Sequence, residues 1–182
     1  MKKENRKTED MSIETKQAFM LSAISDISSY IQLTDTKVSI IMAVMAAIIA
    51  AIATCYKEIL DNISGIKWCS LVGVIEILFL LAFIVGFAGV FLFGILTIRG
   101  HKPKLKYKSK WFIIDSVETY SFENYKSDVM KMTDDDILDN MAAELYKLND
   151  INRQKLNSYK WLIRCLSVSI FSIGILSLLF LL

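Results

Sequence analysis

This sequence of 182 residues has few of the residues that metal sites and catalytic centres require. It holds one His, one Pro and three Cys. One His and three scattered Cys give no metal-ligand spacing, and the sequence has no glycine-rich phosphate loop. We therefore expect a protein that is not an enzyme and that has no metal and no resident cofactor.

Charge is nearly absent from three stretches of the sequence. Between Trp68 and Ile98 about thirty residues carry one charge, Glu76, and the runs Val38 to Cys55 and Cys165 to Leu182 carry none. About 18 apolar residues in a helix nearly match a hydrocarbon layer of roughly 30 Å. The sequence therefore predicts an all-α, multi-pass membrane protein with three transmembrane helices and a helical cytosolic region.

The placement of Lys and Arg predicts the orientation. Residues 1–37 hold six of them and Arg99 to Arg164 hold thirteen, whereas the loop 56–68 holds two. Basic segments beside a span resist translocation. We expect a protein of the cell inner membrane whose amino terminus and long middle segment face the cytosol.

These patterns divide the chain into six predicted segments, which alternate between water and lipid. They are a cytosolic amino-terminal helix (1–37), transmembrane helix 1 (38–55), an outer loop (56–68), transmembrane helix 2 (69–98), a cytosolic helical region (99–160) and transmembrane helix 3 (161–182).

Two helices are predicted to continue from the cytosolic parts into spans. An apolar stripe at steps of three and four indicates one helix from Ile13 to Cys55. A second helix begins after Thr133, a typical amino-terminal cap followed by three Asp, and it enters the third span without Gly or Pro. Their stripes require mutual packing or packing against neighbouring subunits.

Small residues mark the first two spans. Ala43, Ala47 and Ala51 recur at steps of four, and the second span carries Ala82 and Gly86. Small residues let helices approach closely in lipid. This pattern fits an oligomerisation or pore-lining face, and it equally fits tight packing within one subunit.

A basic linker follows the second span. Between Gly100 and Lys110 every second residue from Lys102 onward is Lys. Such a cluster attracts anionic lipid. Lipid contact is the favoured interpretation, and a nucleotide phosphate is the alternative.

Three short motifs resemble the membrane effectors of bacterial pyrimidine-cyclase anti-phage systems, called Pycsar. They are Thr34 to Ser39 at the first span, Trp111 to Ser116 after the second, and Leu148 to Ile151 with Lys155 before the third. The resemblance implies a membrane protein that cyclic CMP or cyclic UMP activates during phage infection, and that then impairs the inner membrane and arrests the cell. The cytosolic part would sense the nucleotide with helices, or the nucleotide would bind another chain.

The leading hypothesis is an oligomer whose cytosolic helices transmit a signal to the spans. The candidate ligand-binding residues form a possible polar cluster near the membrane: Asp35, Lys37, Asp115, Arg153 and Lys155. The expected partners are membrane lipid, further copies of the chain and a cyclic nucleotide made by a partner cyclase, and not nucleic acid. The alternative is a membrane-anchored helical module that recruits a soluble partner.

Overall fold

Three long helices dominate the computed structural model, which describes residues 11–66, 70–107, 110 and 120–179. The helices in chain order are α1 (Ile13–Thr54), α2 (Tyr56–Ser64), α3 (Leu71–Ile98), α4 (Phe122–Met130) and α5 (Asp134–Leu179). No strand occurs among these residues. Because α1, α3 and α5 are each long and apolar enough to cross a membrane, the all-α, three-span prediction is confirmed.

Two of the helices are much longer than a bilayer requires. α1 has 42 residues and α5 has 46, which correspond to about 63 Å and 69 Å at 1.5 Å per residue. The hydrocarbon layer is roughly 30 Å thick, so about half of each helix extends beyond it. The predicted continuity of both helices into their spans is confirmed.

The chain divides into two compact units. Met1–Tyr30 and Lys102–Asn152 form the first, here called the head unit, and Ile31–His101 and Arg153–Leu182 form the second, here called the span unit. All three apolar runs named in the sequence analysis belong to the span unit. The limits of the six predicted segments stay predictions, because helix ends do not mark where lipid begins.

The core of the span unit joins α1, α3 and α5. Val38 and Met45 of α1, Val90 of α3 and Leu162 of α5 form its buried cluster. The face of α3 turned inward carries small and polar residues at steps of mostly three and four: Gly73, Glu76, Gly86, Val90, Gly94 and Thr97. Side-chain volume and helix spacing, rather than water exclusion, determine such packing in lipid.

Gly86 lets α3 and α5 pack closely. A Cβ atom at this position would lie 2.6 Å from Ser169 Oγ and 3.0 Å from the Cys165 carbonyl oxygen. Gly86 of the predicted second span therefore serves helix packing within one chain. By contrast, Ala43, Ala47 and Ala51 of α1 are exposed, so this alanine stripe takes no part in the core.

The head unit buries the apolar stripe of α1 only partly. Met20, Ile24 and Ile27 are half-buried, whereas Phe19 and Leu21 are exposed. On α5, the head unit buries Met141 and Ala143, among others. The stripe therefore faces inward, as its spacing predicts.

Part of the predicted outer loop is helical. Residues 56–64 of the predicted outer loop form α2, a helix of nine residues with Ile59 and Ile63 on one side. A nine-residue helix is below the length at which isolated helices are stable in water, so its sequence alone gives a weak signal.

Candidate functional site

An ion pair joins α1 to α5 in the span unit. Lys155 Nζ lies 2.5 Å from Asp35 Oδ1 and 2.7 Å from Oδ2. The Lys155 side chain is 7% exposed and that of Asp35 is 37% exposed. Because a buried ammonium group is strongly destabilising unless it is paired, this carboxylate is what allows Lys155 to be buried.

The pair lies at the end of the apolar core. One turn after Asp35, Val38 is fully buried, and one turn after Lys155, Tyr159 packs against the same core cluster. Thr34, next to Asp35, is also buried. The contact is therefore placed where a change in α1–α5 packing would separate the two charges.

The structure unites two of the five predicted site residues. Lys37 and Arg153 are exposed, and each lies two residues from a member of the ion pair. Two residues correspond to about 200° around a helix, so these side chains leave the helix on nearly the opposite side. Asp115 lies outside the described residues. Ligand binding by this set stays a prediction.

Part of the basic linker lies along α5 within the head unit. The Lys104 backbone N–H donates to Asp150 Oδ2 at 3.0 Å, and the Lys110 backbone N–H donates to Asn140 Oδ1 at 2.9 Å. Asp150 and Asn140 are both buried. The earlier linker residue, Lys104, pairs with the later residue of α5, Asp150, and Lys110 pairs with the earlier Asn140. The linker and α5 therefore run antiparallel.

These two acceptors were not among the predicted site residues. Asp150 belongs to one of the motifs that carry the family resemblance, and Asn140 follows the acidic start of α5. A polar residue on the side of a helix that is buried indicates such an acceptor, because a buried polar group needs a hydrogen-bond partner. The sequence does not indicate that this partner is a linker backbone.

A polar cluster forms where the linker approaches α4. The Tyr120 hydroxyl donates to Asp128, and Lys110 Nζ lies 3.4 Å from Asp128 Oδ2. The Tyr120 hydrogen bond, followed by the Lys110 charge, lowers the pKa of Asp128, and the same bond raises the pKa of Tyr120. These contacts keep the Asp128 carboxylate ionised and bind the linker end to α4.

The linker presents cations to solvent. Lys102, Lys104 and Lys106 are exposed, while the Lys104 backbone is held by Asp150. The linker backbone is thus held at Lys104, while the Lys104 and Lys106 side chains extend into solvent.

Comparison with known proteins identifies one family. A family model described as "PycTM: Pycsar effector protein domain" matches residues 19–182, which include α3, α5, all but the first six residues of α1 and most of the head unit. No curated protein and no solved structure matched the sequence.

Proposed function

Because this chain belongs to the Pycsar effector family, we propose that it is the membrane effector of a bacterial anti-phage system. A cyclic pyrimidine nucleotide triggers it to impair the inner membrane and to arrest the infected cell. The observation that carries this proposal is the family match, which extends over both the head unit and the span unit.

The proposed location is the cell inner membrane, with the amino terminus in the cytosol. Three helices are long and apolar enough to cross a membrane. The thirteen Lys and Arg residues between Arg99 and Arg164 support a cytosolic middle segment. This orientation places the head unit in the compartment where a cyclase would release its nucleotide.

The proposed signal passes along α1 and α5. Each of these helices contributes residues to both units without interruption. A ligand shifts such a protein between two packings only if it binds them with different affinities. We propose that nucleotide binding changes the packing of the two helices, and that the Asp35–Lys155 pair belongs to the resting packing.

Membrane damage through a pore requires several copies in this proposal. The space among α1, α3 and α5 is filled by the core side chains Val38, Met45, Val90 and Leu162. A single chain with a filled core has no axial channel between these helices. The exposed Ala43, Ala47 and Ala51 stripe supports a homo-oligomer, because small residues favour close helix contact in lipid.

A vesicle leakage assay tests the function. The purified chain is reconstituted in vesicles of phosphatidylethanolamine and phosphatidylglycerol that enclose a fluorescent dye. We expect release of the dye when cyclic CMP or cyclic UMP is added, and none with cyclic AMP. Vesicles that stay sealed with every nucleotide, while cells carrying the matching cyclase keep their membrane potential, would contradict the proposal.

A second candidate function is the recruitment of a soluble partner by the head unit. It is favoured by the exposed apolar side chains of α1, among which Phe19 is 66% and Leu21 is 49% exposed. Crosslinking in membranes separates the two functions. Homo-oligomers linked through the spans indicate the effector, and a one-to-one complex through α1 of the head unit indicates recruitment.

A further inference from the structure

A groove lies between the linker and α5 in the head unit. It has a volume of about 410 Å³ and is lined by Lys104, Leu105, Ala142, Ala143 and Tyr146. Pockets for small ligands in proteins range from about 300 to 1,000 Å³. The groove is therefore large enough for a mononucleotide.

The hydrogen bonds of the linker determine the walls of this groove. The two acceptors on α5, Asn140 and Asp150, are ten residues apart, about 15 Å along a helix. Both contacts hold the linker against α5, and its residues Lys104 and Leu105 form one side of the groove.

Small residues give the groove its depth. Besides Tyr146, α5 lines the groove between the two acceptors with Ala142 and Ala143, of which Ala143 is buried. Any larger side chain at these positions would occupy the space. Tyr146, one turn further along α5, stands at the edge of the groove and is exposed.

The lining combines the two groups that recognise a nucleotide. Lys104 is the one lysine of the groove lining, and its exposed side chain supplies an ammonium group for a phosphate. Tyr146 supplies an aromatic face on which a base stacks, a contact that every base can make. A pyrimidine cyclic monophosphate carries one negative charge and one small ring, which matches one lysine and one tyrosine.

We propose that this groove binds the cyclic pyrimidine mononucleotide, with Lys104 at the cyclic phosphate and Tyr146 stacked on the base. The inference rests on the proposed function, and it names the site at which the trigger acts. The linker directly follows α3 in the sequence, and α5 continues into the third span. A ligand held by both the linker and α5 thus acts on segments that lead into two spans.

Binding is measured by calorimetry on the full chain in nanodiscs of phosphatidylcholine, titrated with cyclic CMP and cyclic UMP. Tyr146→Ala removes the stacking face and Lys104→Glu reverses the cation. We expect each to weaken binding by about tenfold or more. The matched controls are Tyr146→Phe, which keeps the ring, and Lys106→Glu, which makes the same charge change outside the groove lining. Both controls should bind as the unaltered chain does.

The outcomes distinguish failure of the proposed binding site from failure of the proposed function. If the unaltered chain binds a nucleotide and Tyr146→Ala and Lys104→Glu bind it equally well, the groove is the wrong site and the proposed function stands. If the unaltered chain binds neither nucleotide, the groove proposal falls, and the leakage assay together with the membrane potential of cells carrying the cyclase decides the proposed function.

A lipid phosphate is the other source of the same chemistry, and nanodiscs with phosphatidylglycerol distinguish it. Unchanged nucleotide affinity in these nanodiscs supports the groove as a nucleotide site. Loss of nucleotide binding in these nanodiscs assigns the groove to lipid and overturns the proposal.

Discussion

Lys155 Nζ lies 2.5 Å and 2.7 Å from the two carboxylate oxygens of Asp35, and the lysine is the more buried partner. Its side chain is 7% exposed, against 37% for that of Asp35. The two groups therefore depend on the contact to different degrees. Without its partner Asp35 regains water, whereas Lys155 remains a buried charge.

The first prediction follows from this asymmetry. Asp35→Asn should lower the free energy of unfolding by about 2 kcal/mol, between the values for surface pairs and for fully buried pairs. Lys155→Met should cost less, about 1 kcal/mol or below, because it replaces the buried ammonium with an apolar chain of similar length. Thermal unfolding in detergent measures both.

The control for this prediction is Lys37→Met on the exposed side of α1, which should leave stability unchanged. An equal loss for Asp35→Asn and Lys155→Met would show that burial of the lysine does not control the energy of the pair.

The second prediction concerns the buried acceptors that hold the linker. Asp150→Ala should leave the Lys104 backbone N–H without its acceptor, and Asn140→Ala should do the same at Lys110. Each should cost the net value of a hydrogen bond, about 1 kcal/mol for the neutral Asn140 acceptor and about 2 kcal/mol for the charged Asp150 acceptor. Hydrogen exchange at these amides measures the release of the linker.

Asn149→Ala is the matched control, because the exposed Asn149 side chain donates to the Leu145 carbonyl oxygen of its own helix. Unchanged protection of Lys104 in Asp150→Ala would contradict the role of this acceptor.

The third prediction tests the close approach of α3 and α5. Gly86→Ala adds a Cβ atom within 3.0 Å of the Cys165 carbonyl oxygen, and such overpacking costs about 1–3 kcal/mol. Gly174→Ala is the control, since a Cβ atom there meets nothing within 4 Å. It should be neutral or stabilising by up to about 1 kcal/mol, because Ala favours helix more than Gly does. Thermal unfolding that ranks the two variants in the reverse order would contradict the prediction.

The sequence alone predicts the helices well because lipid imposes a simple rule. A chain that crosses hydrocarbon must satisfy its backbone internally, so apolar length alone indicates α1, α3 and α5. The sequence also places Asp35 and Lys155 in one candidate cluster, because both charges stand where a helix enters a span, but it does not identify them as each other's partner.

The linker contacts are not accessible in the same way. Asn140 and Asp150 bond to backbone N–H groups, and every non-proline residue carries one. No residue type in the linker therefore identifies which amide is used. The groove beside Tyr146 follows from these contacts and could not be predicted without them.

The fourth prediction concerns acid and the start of α5. The Thr133 N–H and hydroxyl donate to Asp136 Oδ2 at 2.9 Å and 2.7 Å, and they hold the pKa of Asp136 below its ordinary value. A depressed folded-state pKa gives stability that is complete above the unfolded value, roughly 3.9. This stability is lost as pH falls through the lower, folded pKa.

We expect amide protection in the first turn of α5 to be constant near neutral pH and to decrease below about pH 4. Asp136→Asn should weaken the protection at neutral pH and remove most of this acid dependence, while Asp135→Asn should keep it. Hydrogen exchange as a function of pH measures the effect. A loss of protection that begins near pH 6 would point to a different group.

The fifth prediction tests the exposed alanine stripe of α1 as a contact between copies. Ala47→Phe places a large side chain on this stripe, where the fold of one chain leaves room because Ala47 is exposed. Close helix approach in lipid depends on small residues, so we expect the variant to keep its thermal stability and to lose crosslinked oligomers and dye leakage together. Val85→Phe, at a site on α3 that is 69% exposed, adds bulk at another exposed position and should retain both. Equal oligomer yields for the two variants would remove the stripe from the contact between copies, and leakage would then need another interface or direct disorder of the bilayer.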